Sequence, residues 1–226
     1  MLHFTRMTQD GQDHITCAPN RLIIAGWAGR DMAAIEEHIV ELEAIGVPRP
    51  SSVPVYYRVA RDLLLQADRV QILGSTSSGE VEPVLLALAD GWWVGIGSDH
   101  TDREAETIGI ALSKQLCCKP VSRVLWKWED VADHWDMLIM RSWATIDGMR
   151  VLYQEGPVNS LRAPDNLVDN LPDTIAFTPG DMMFCGTLSV KGGIRPAQRF
   201  EMELEDPVLK RSIRHAYDLD MLPVVS

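Results

Sequence analysis

The chain has no run of about 18 apolar residues, the length a transmembrane helix needs. Its first residues, MLHFTRMTQDGQDHIT, lack the basic-then-apolar order of a signal peptide, so the expected location is the cytoplasm. Basic residues are in deficit, 21 against 32 acidic, for a net charge of −11. That balance argues against a nucleic-acid backbone or an anionic membrane as the main partner. Small molecules and other proteins remain, and a substrate carrying carboxylates would need local positive charge from basic side chains or a metal ion. Cysteine is scarce: Cys17, Cys117, Cys118 and Cys185 show no C-x-x-C spacing, and the vicinal pair suits no disulfide framework, so buried free thiols are expected. There is no internal repeat, low-complexity tract or Gly/Ser linker. Residues 1–226 therefore read as a single domain, with 1–20 as a short N-terminal extension, and 46% hydrophobic residues suffice for a sizeable core.

What is present is mostly strand. The segments RLIIAG (21–26), SVPVYYRV, DRVQIL, EVEPVLLAL and WWVGIGS are short β-rich runs broken by Pro, Gly and Asp. Asp147-Gly148 sits between two further runs as a hairpin signal, and TPGDMMFCGTL and RFEMELED supply more strands. Two helices are predicted. In GRDMAAIEEHIVELEAIGVP, the residues Met32, Ile35, Ile39, Leu42 and Ile45 recur at helical spacing until Pro48. TDREAETIGIALSKQ is the second, with Thr101 as N-cap and acidic residues in its first turn. The fold class is a β-rich α+β domain whose few helices cover mixed sheets.

Glu80 and Glu82 open an apolar run, and in a strand they share a face with Cα atoms about 6.5 to 7 Å apart. Alone, two such carboxylates repel and belong in solvent. Asp99 follows the next predicted strand, and if the two strands pair, three carboxylates meet. Three carboxylate oxygens with waters are the ligand set of Mg²⁺ or Mn²⁺, with Ca²⁺ as a substitute in crystals. His100 adjoins Asp99 but faces the opposite side of a strand, which leaves it a supporting role behind the ligands or a structural one. His134-Trp135-Asp136 and the thiol of Cys185 are likewise read as structural.

These segments resemble the fumarylacetoacetate hydrolase superfamily. SGEVEPVLL is similar to that family's metal-binding E-x-E strand, SDHTDRE to its N-D-x-T-x-R-D segment, IDGMRVLYQEG to its N-G-x-x-x-Q-x-G hairpin and TPGDMMFCGTL to its P-G-D-x-x-x-T-G-T-P turn. The four blocks keep the family's order. Ser98 stands where the family has Asn, Leu188 where it has Pro, and LWKWEDVADHW has no counterpart, which marks a divergent branch.

The resemblance implies mixed β-sheets rolled around a metal site formed by Glu80, Glu82 and Asp99. It implies that Arg103 grips a substrate carboxylate, that Lys114 holds an oxyanion or carboxylate, and that Thr187 donates a hydroxyl or backbone N–H while Gly186 permits close approach. It also implies that His38, oriented by Glu41 three residues on, activates water or moves a proton. The expected activity is metal-dependent hydrolysis or lysis of a C–C bond in a small acylpyruvate-like or 2-oxo acid substrate, through an enolate that the metal stabilises. Decarboxylation, hydration and tautomerisation are alternatives on the same enolate, and a catalytically silent binding or assembly protein is the alternative of another class. The family's homodimer is the expected assembly. Seven tryptophans and ten methionines agree with it, and the segment Trp126–Trp143 is its candidate interface.

Overall fold

Val81–Leu88, VEPVLLAL, is apolar on both faces apart from Glu82, so it needs cover on both. A computed structural model describes residues 1–44 and 49–225, without the side chains of His38 and Leu42, and it buries that strand from Val81 to Ala87. The strand lies inside an eight-stranded mixed sheet, in the spatial order Gly11–Cys17, Leu2–Thr8, Val124–Lys127, Gly91–Ser98, Val81–Leu88, Asp181–Phe184, Arg21–Gly26, Val55–Val59. A second sheet runs Met149–Pro157, Ile139–Ile146, Arg199–Asp206, Arg211–Leu222, Arg69–Leu73. Here burial alternates: Met140, Ser142 and Ala144 point inward while their neighbours are half-buried, as expected of a sheet packed on one side.

The inner faces of the two sheets share one core. Leu85, Val94, Ile96 and Trp126 meet Met140, Phe200, Met202, Leu204, Ile213 and Tyr217. The other face of the large sheet carries a second core, in which Leu22, Ile24, Val84, Leu86, Trp93 and Phe184 pack with Leu2, Phe4, Leu64 and Val121. Glu82 precedes Val84 by two residues and so belongs to this second face. Pro83 is tolerated within a central strand because Ile96 opposite it turns its own backbone groups to Ser122, and the Pro83 carbonyl accepts from Cys185 N–H at 3.0 Å.

The expected β-rich α+β class is the observed one, and the hairpin turns at Asp147-Gly148 as the dipeptide indicates. Three expectations are corrected. Residues 1–20 are no loose extension: Leu2–Thr8 and Gly11–Cys17 form a hairpin in the large sheet, with Leu2 and Phe4 buried. The second helix is two, Arg103–Glu106 and Ile110–Gln115. Asp102 caps the first, accepting from Glu104 and Ala105 N–H, because Thr101 is held in a two-residue ladder opposite Ser78. Gly109 is extended, which separates the pair. Finally, Trp126, Trp128 and Trp135 are buried in the chain's own core, with the rings of Trp128 and Trp135 5.2 Å apart, so they are not interface residues. Of the four tryptophans in that segment only Trp143 is half-buried, stacked under Arg150. The thiols are free, with Cys117 and Cys185 buried.

Candidate metal centre

Strand register brings the acidic residues together. Val81 pairs with Ser98 and Glu82 with Gly97, so Asp99, one residue beyond its strand, returns opposite Glu80, to whose carbonyl its N–H donates at 2.9 Å. Glu80, Glu82 and Asp99 each offer an oxygen within 4.8 Å of the others, with Glu82 and Asp99 buried and Glu80 half-buried. No backbone residue with a Cβ could replace Gly97 beneath them without displacement, since a Cβ there would lie 2.7 Å from the Phe184 ring.

Three cations face the three carboxylates. Arg103, first residue of its helix, places Nη2 2.9 Å from Glu80 Oε1 and Nη1 3.0 Å from Glu106, and its Nε donates to Ser78 Oγ at 2.7 Å. Lys114 is buried on the inner side of Ile110–Gln115, with its Nζ hydrogen-bonded to Asp99 Oδ2, 3.7 Å from Glu80 Oε2 and 5.9 Å above the Tyr57 ring. Lys119 is fully buried. Its Nζ lies 3.1 Å from Asp99 Oδ1 and donates to the His100 carbonyl at 2.6 Å. Sequence reasoning missed Lys119, since nothing in CCKPVS sets it apart from a surface lysine. Arg103 and Lys114, expected to hold the substrate, here contact the chain's own carboxylates, the guanidinium being engaged by Glu80 and Glu106 and the ammonium by Asp99.

Burial and neighbouring charge compete in the titration of this cluster. Removal from water, reinforced by Asp99, pushes the Glu82 carboxyl well above the usual carboxylate range. Asp99 is raised by burial too, but Lys114 and Lys119 outweigh that and hold it below its ordinary value. Lys114 is pushed down by burial and up more strongly by Asp99 and Glu80, so its ammonium is retained. A buried Glu82 crowded by two further carboxylates is best stabilised as an anion by a cation between them, and each oxygen keeps a lone pair beyond its present contact. The hard donor set suits a small divalent ion such as Mg²⁺.

The wall beside Glu82 is Gly186-Thr187. Gly186, at φ +97°, donates its N–H to Glu82 Oε2 at 2.8 Å, and a Cβ there would sit 2.7 Å from Ala28 Cβ. The Thr187 hydroxyl is not free to donate to a ligand, contrary to one expected arm: it donates to the Val81 carbonyl and accepts from Gln154 Nε2, both at 2.8 Å. Gln154, fully buried, also accepts from Val81 N–H at 3.1 Å and donates to Leu188 O at 2.6 Å. It is the Gln of the hairpin motif, and the motif was its only signal. His100 lies between Tyr217 OH (3.0 Å) and Ser77 Oγ (2.9 Å). Burial, with Lys119 nearby, lowers its pKa to about 3, which keeps it neutral and structural. His134 bonds Asp206 at 3.0 Å, and Asp136 pairs with Arg30. Glu41 lies on the exposed side of helix Met32–Ala44. The side chain of His38, its expected partner, lies outside the described residues.

A family model described as "Protein of unknown function (DUF2848)" matches residues 25–217. No curated protein matches the sequence. Among solved structures, the chain is similar to 2-keto-3-deoxy-D-arabinonate dehydratase complexed with magnesium and 2,5-dioxopentanoate, at a TM-score of 0.64 and 13% identity, covering 95% of this chain and 78% of that one. It is also similar to a fumarylacetoacetate hydrolase from psychrophilic Exiguobacterium antarcticum, at 0.61 and 14%, covering 93% and 82%. A third similar structure is 5-carboxymethyl-2-hydroxymuconate delta-isomerase from Mycobacterium smegmatis, at 0.59 and 13%, covering 92% and 81%. The fold is therefore that of the fumarylacetoacetate hydrolase superfamily.

Proposed function

We propose that this chain, which belongs to the DUF2848 family, is a divalent-metal-dependent enzyme that hydrolyses or cleaves a C–C bond next to the carbonyl of a small acylpyruvate-like or other 2-oxo acid. The observation that carries the proposal is the convergence of Glu80, Glu82 and Asp99 within 4.8 Å, with Arg103 and Lys114 on the same carboxylates. The magnesium complex of the dehydratase of like fold supports the choice of cation. Bound Mg²⁺ or Mn²⁺ supplies Lewis-acid stabilisation of negative charge developing on the substrate carbonyl.

The chain's own residues do the rest. Lys119 and Lys114 fix both oxygens of Asp99, so the third ligand cannot swing away. Lys114, at the edge of the cluster, offers its remaining N–H donors to the substrate oxygen on which charge grows. Arg103 takes the 2-oxo acid's carboxylate once its contact with Glu80 loosens. The Gly186-Thr187 backbone closes the opposite wall and keeps Glu82 aimed inward. The role that the resemblance gives His38, with Glu41 as its partner, is to accept the proton of the attacking water. Assembly as a homodimer and a cytoplasmic location belong to the same proposal.

The dehydratase and isomerase of like fold favour a second reading, in which the same charge leads to dehydration, decarboxylation or tautomerisation. A catalytically silent binding protein is the rival, favoured by the engagement of Arg103 with Glu80 and Glu106. The test is proton NMR of acylpyruvates and 2-oxo acids incubated with protein and Mg²⁺ or Mn²⁺. Turnover that chelator removes and Glu82→Gln lacks is expected. Tight oxalate binding with no turnover across the panel would establish the rival.

A further inference from the structure

Behind the carboxylate cluster runs a closed circuit of hydrogen bonds that the proposed chemistry does not use. Glu80 N–H donates to Ser98 Oγ at 3.3 Å, and the Tyr217 hydroxyl donates to the same oxygen at 2.8 Å. With its proton on Ser98, the phenol oxygen accepts from His100 Nδ1–H at 3.0 Å. The neutral imidazole then has Nε2 as an acceptor, and it takes the Ser77 hydroxyl at 2.9 Å. Ser78, the next residue, accepts from Arg103 Nε at 2.7 Å, and Arg103 Nη2 returns to Glu80 Oε1 at 2.9 Å. The circuit leaves Glu80 by its backbone and comes back to its carboxylate.

Its inner members have no water to fall back on. Ser77, Ser78, Ser98, His100 and Tyr217 are all buried, and burial holds the Tyr217 phenol well above the usual tyrosine range, so it keeps the proton it donates. Tyr217 arrives from strand Arg211–Leu222 of the second sheet, with its ring against Phe200, and its hydroxyl crosses the shared core to Ser98 at the end of strand Gly91–Ser98. Ser98 is a position where the chain departs from the superfamily pattern, and the short serine side chain leaves the space that the phenol oxygen fills. Phenylalanine at 217 would serve packing equally well. A buried hydroxyl and imidazole cost desolvation and are stabilising only when every partner is in place, so what they add is a fixed geometry at both ends of the circuit.

We infer that Tyr217 and His100 are positioning residues: through Ser98 and through Ser77-Ser78 they set the Arg103 guanidinium beside Glu80, in the orientation from which it grips a substrate carboxylate. The inference rests on the metal-dependent reading above, in which Arg103 takes that carboxylate. Calorimetry of the full chain tests it, with Mn²⁺ alone and with oxalate in the presence of Mg²⁺. Tyr217→Phe should weaken oxalate binding by about 5- to 30-fold and Mn²⁺ binding by less than about threefold, because Lys114, Lys119 and the Gly186 N–H hold the carboxylates independently. Ser77→Ala opens the same circuit on the other side of His100 and should cost about as much. The double variant should lose little more than either alone, since a circuit already open has no second link to break. Tyr153→Phe is the control: it removes a phenol that is equally buried but bonded to Arg195 N–H at 3.2 Å, outside the circuit, and it should lower the melting temperature similarly while leaving oxalate affinity unchanged. Full oxalate affinity in Tyr217→Phe, an equal loss in Tyr153→Phe, a Mn²⁺ loss as large as the oxalate loss, or losses that simply add in the double variant would overturn the positioning role. Failure of the wild type to bind Mn²⁺, or oxalate with Mg²⁺, would instead sink the metal-dependent reading, and the positioning role with it.

Discussion

Replacing Glu82 by Gln should separate the metal from the fold. The substitution keeps shape and leaves an oxygen to accept the Gly186 N–H, now 2.8 Å from Glu82, but removes a buried charge within 4.8 Å of two others. Like charges at that spacing repel by about 3 kcal/mol per pair at an effective dielectric constant of about 20. Lys114 offsets much of this, and partial protonation of Glu82 relieves more, so the metal-free variant should be about 0–2 kcal/mol more stable than wild type. With cation the order reverses. An ion at 100 times its dissociation constant stabilises the wild type by about 2.7 kcal/mol, which for a chain of this length raises the melting temperature by about 5–11 °C. Glu82→Gln should show almost none of that shift. Thermal unfolding in chelator and in Mn²⁺ reads both arms. Calorimetry in buffers of different ionisation enthalpy adds a third: because burial raises Glu82, ion binding to wild type should release a proton, and affinity should weaken as pH falls. A variant that keeps the full Mn²⁺ shift, or that is severely destabilised in chelator, would refute the assignment of Glu82 as a metal ligand held against repulsion.

Lys119→Met should cost about 3–5 kcal/mol in urea unfolding, because it strips one of two cations from the fully buried Asp99; an unchanged midpoint would show that Lys114 suffices. Asp181, buried yet held below its ordinary pKa because Arg21 and the Thr178 N–H outweigh the effect of burial, contributes stability that is present above the unfolded carboxyl value of about 3.9 and lost as pH falls through the depressed folded one. Asp181→Asn should therefore lower stability by about 1–3 kcal/mol at pH 7 and by progressively less in acid, and a difference that is the same at pH 7 and pH 3 would contradict this.

The carboxylate cluster was legible because it depends on a period and a register. Side chains at i and i+2 share a face, and two adjacent strands joined by a tight turn at Ala89-Asp90 must bring the start of one beside the end of the other. The partners that tune the cluster were not legible, because they arrive from elements without a period. Lys119 sits in a two-residue ladder whose partner, Leu64-Leu65, is more than fifty residues away in the chain. The N-terminal hairpin escaped for another reason. Gly11–Cys17 is an exposed or half-buried edge strand with polar residues on both sides, so the Asp10-Gly11 turn signal had no apolar alternation around it. The strand Arg211–Leu222 was hidden in the same way, its burial pattern irregular and its charges paired with Glu203, Asp206 and Arg199 of the adjoining strand.

On the proposed reading, the balance of charge at the site would let so acidic a chain take an acidic substrate. Glu80, Glu82, Asp99 and the Glu106 on Arg103 carry four negative charges at most, and Arg103, Lys114 and Lys119 carry three positive ones. The cluster is therefore close to neutral by itself, which is what makes its burial affordable. A bound divalent ion would turn it net positive in a region largely shielded from water, while the −11 of the whole chain is spread over solvent-screened surface. A substrate with one carboxylate and a developing oxyanion, or with two carboxylates, matches that excess; a neutral ketone does not.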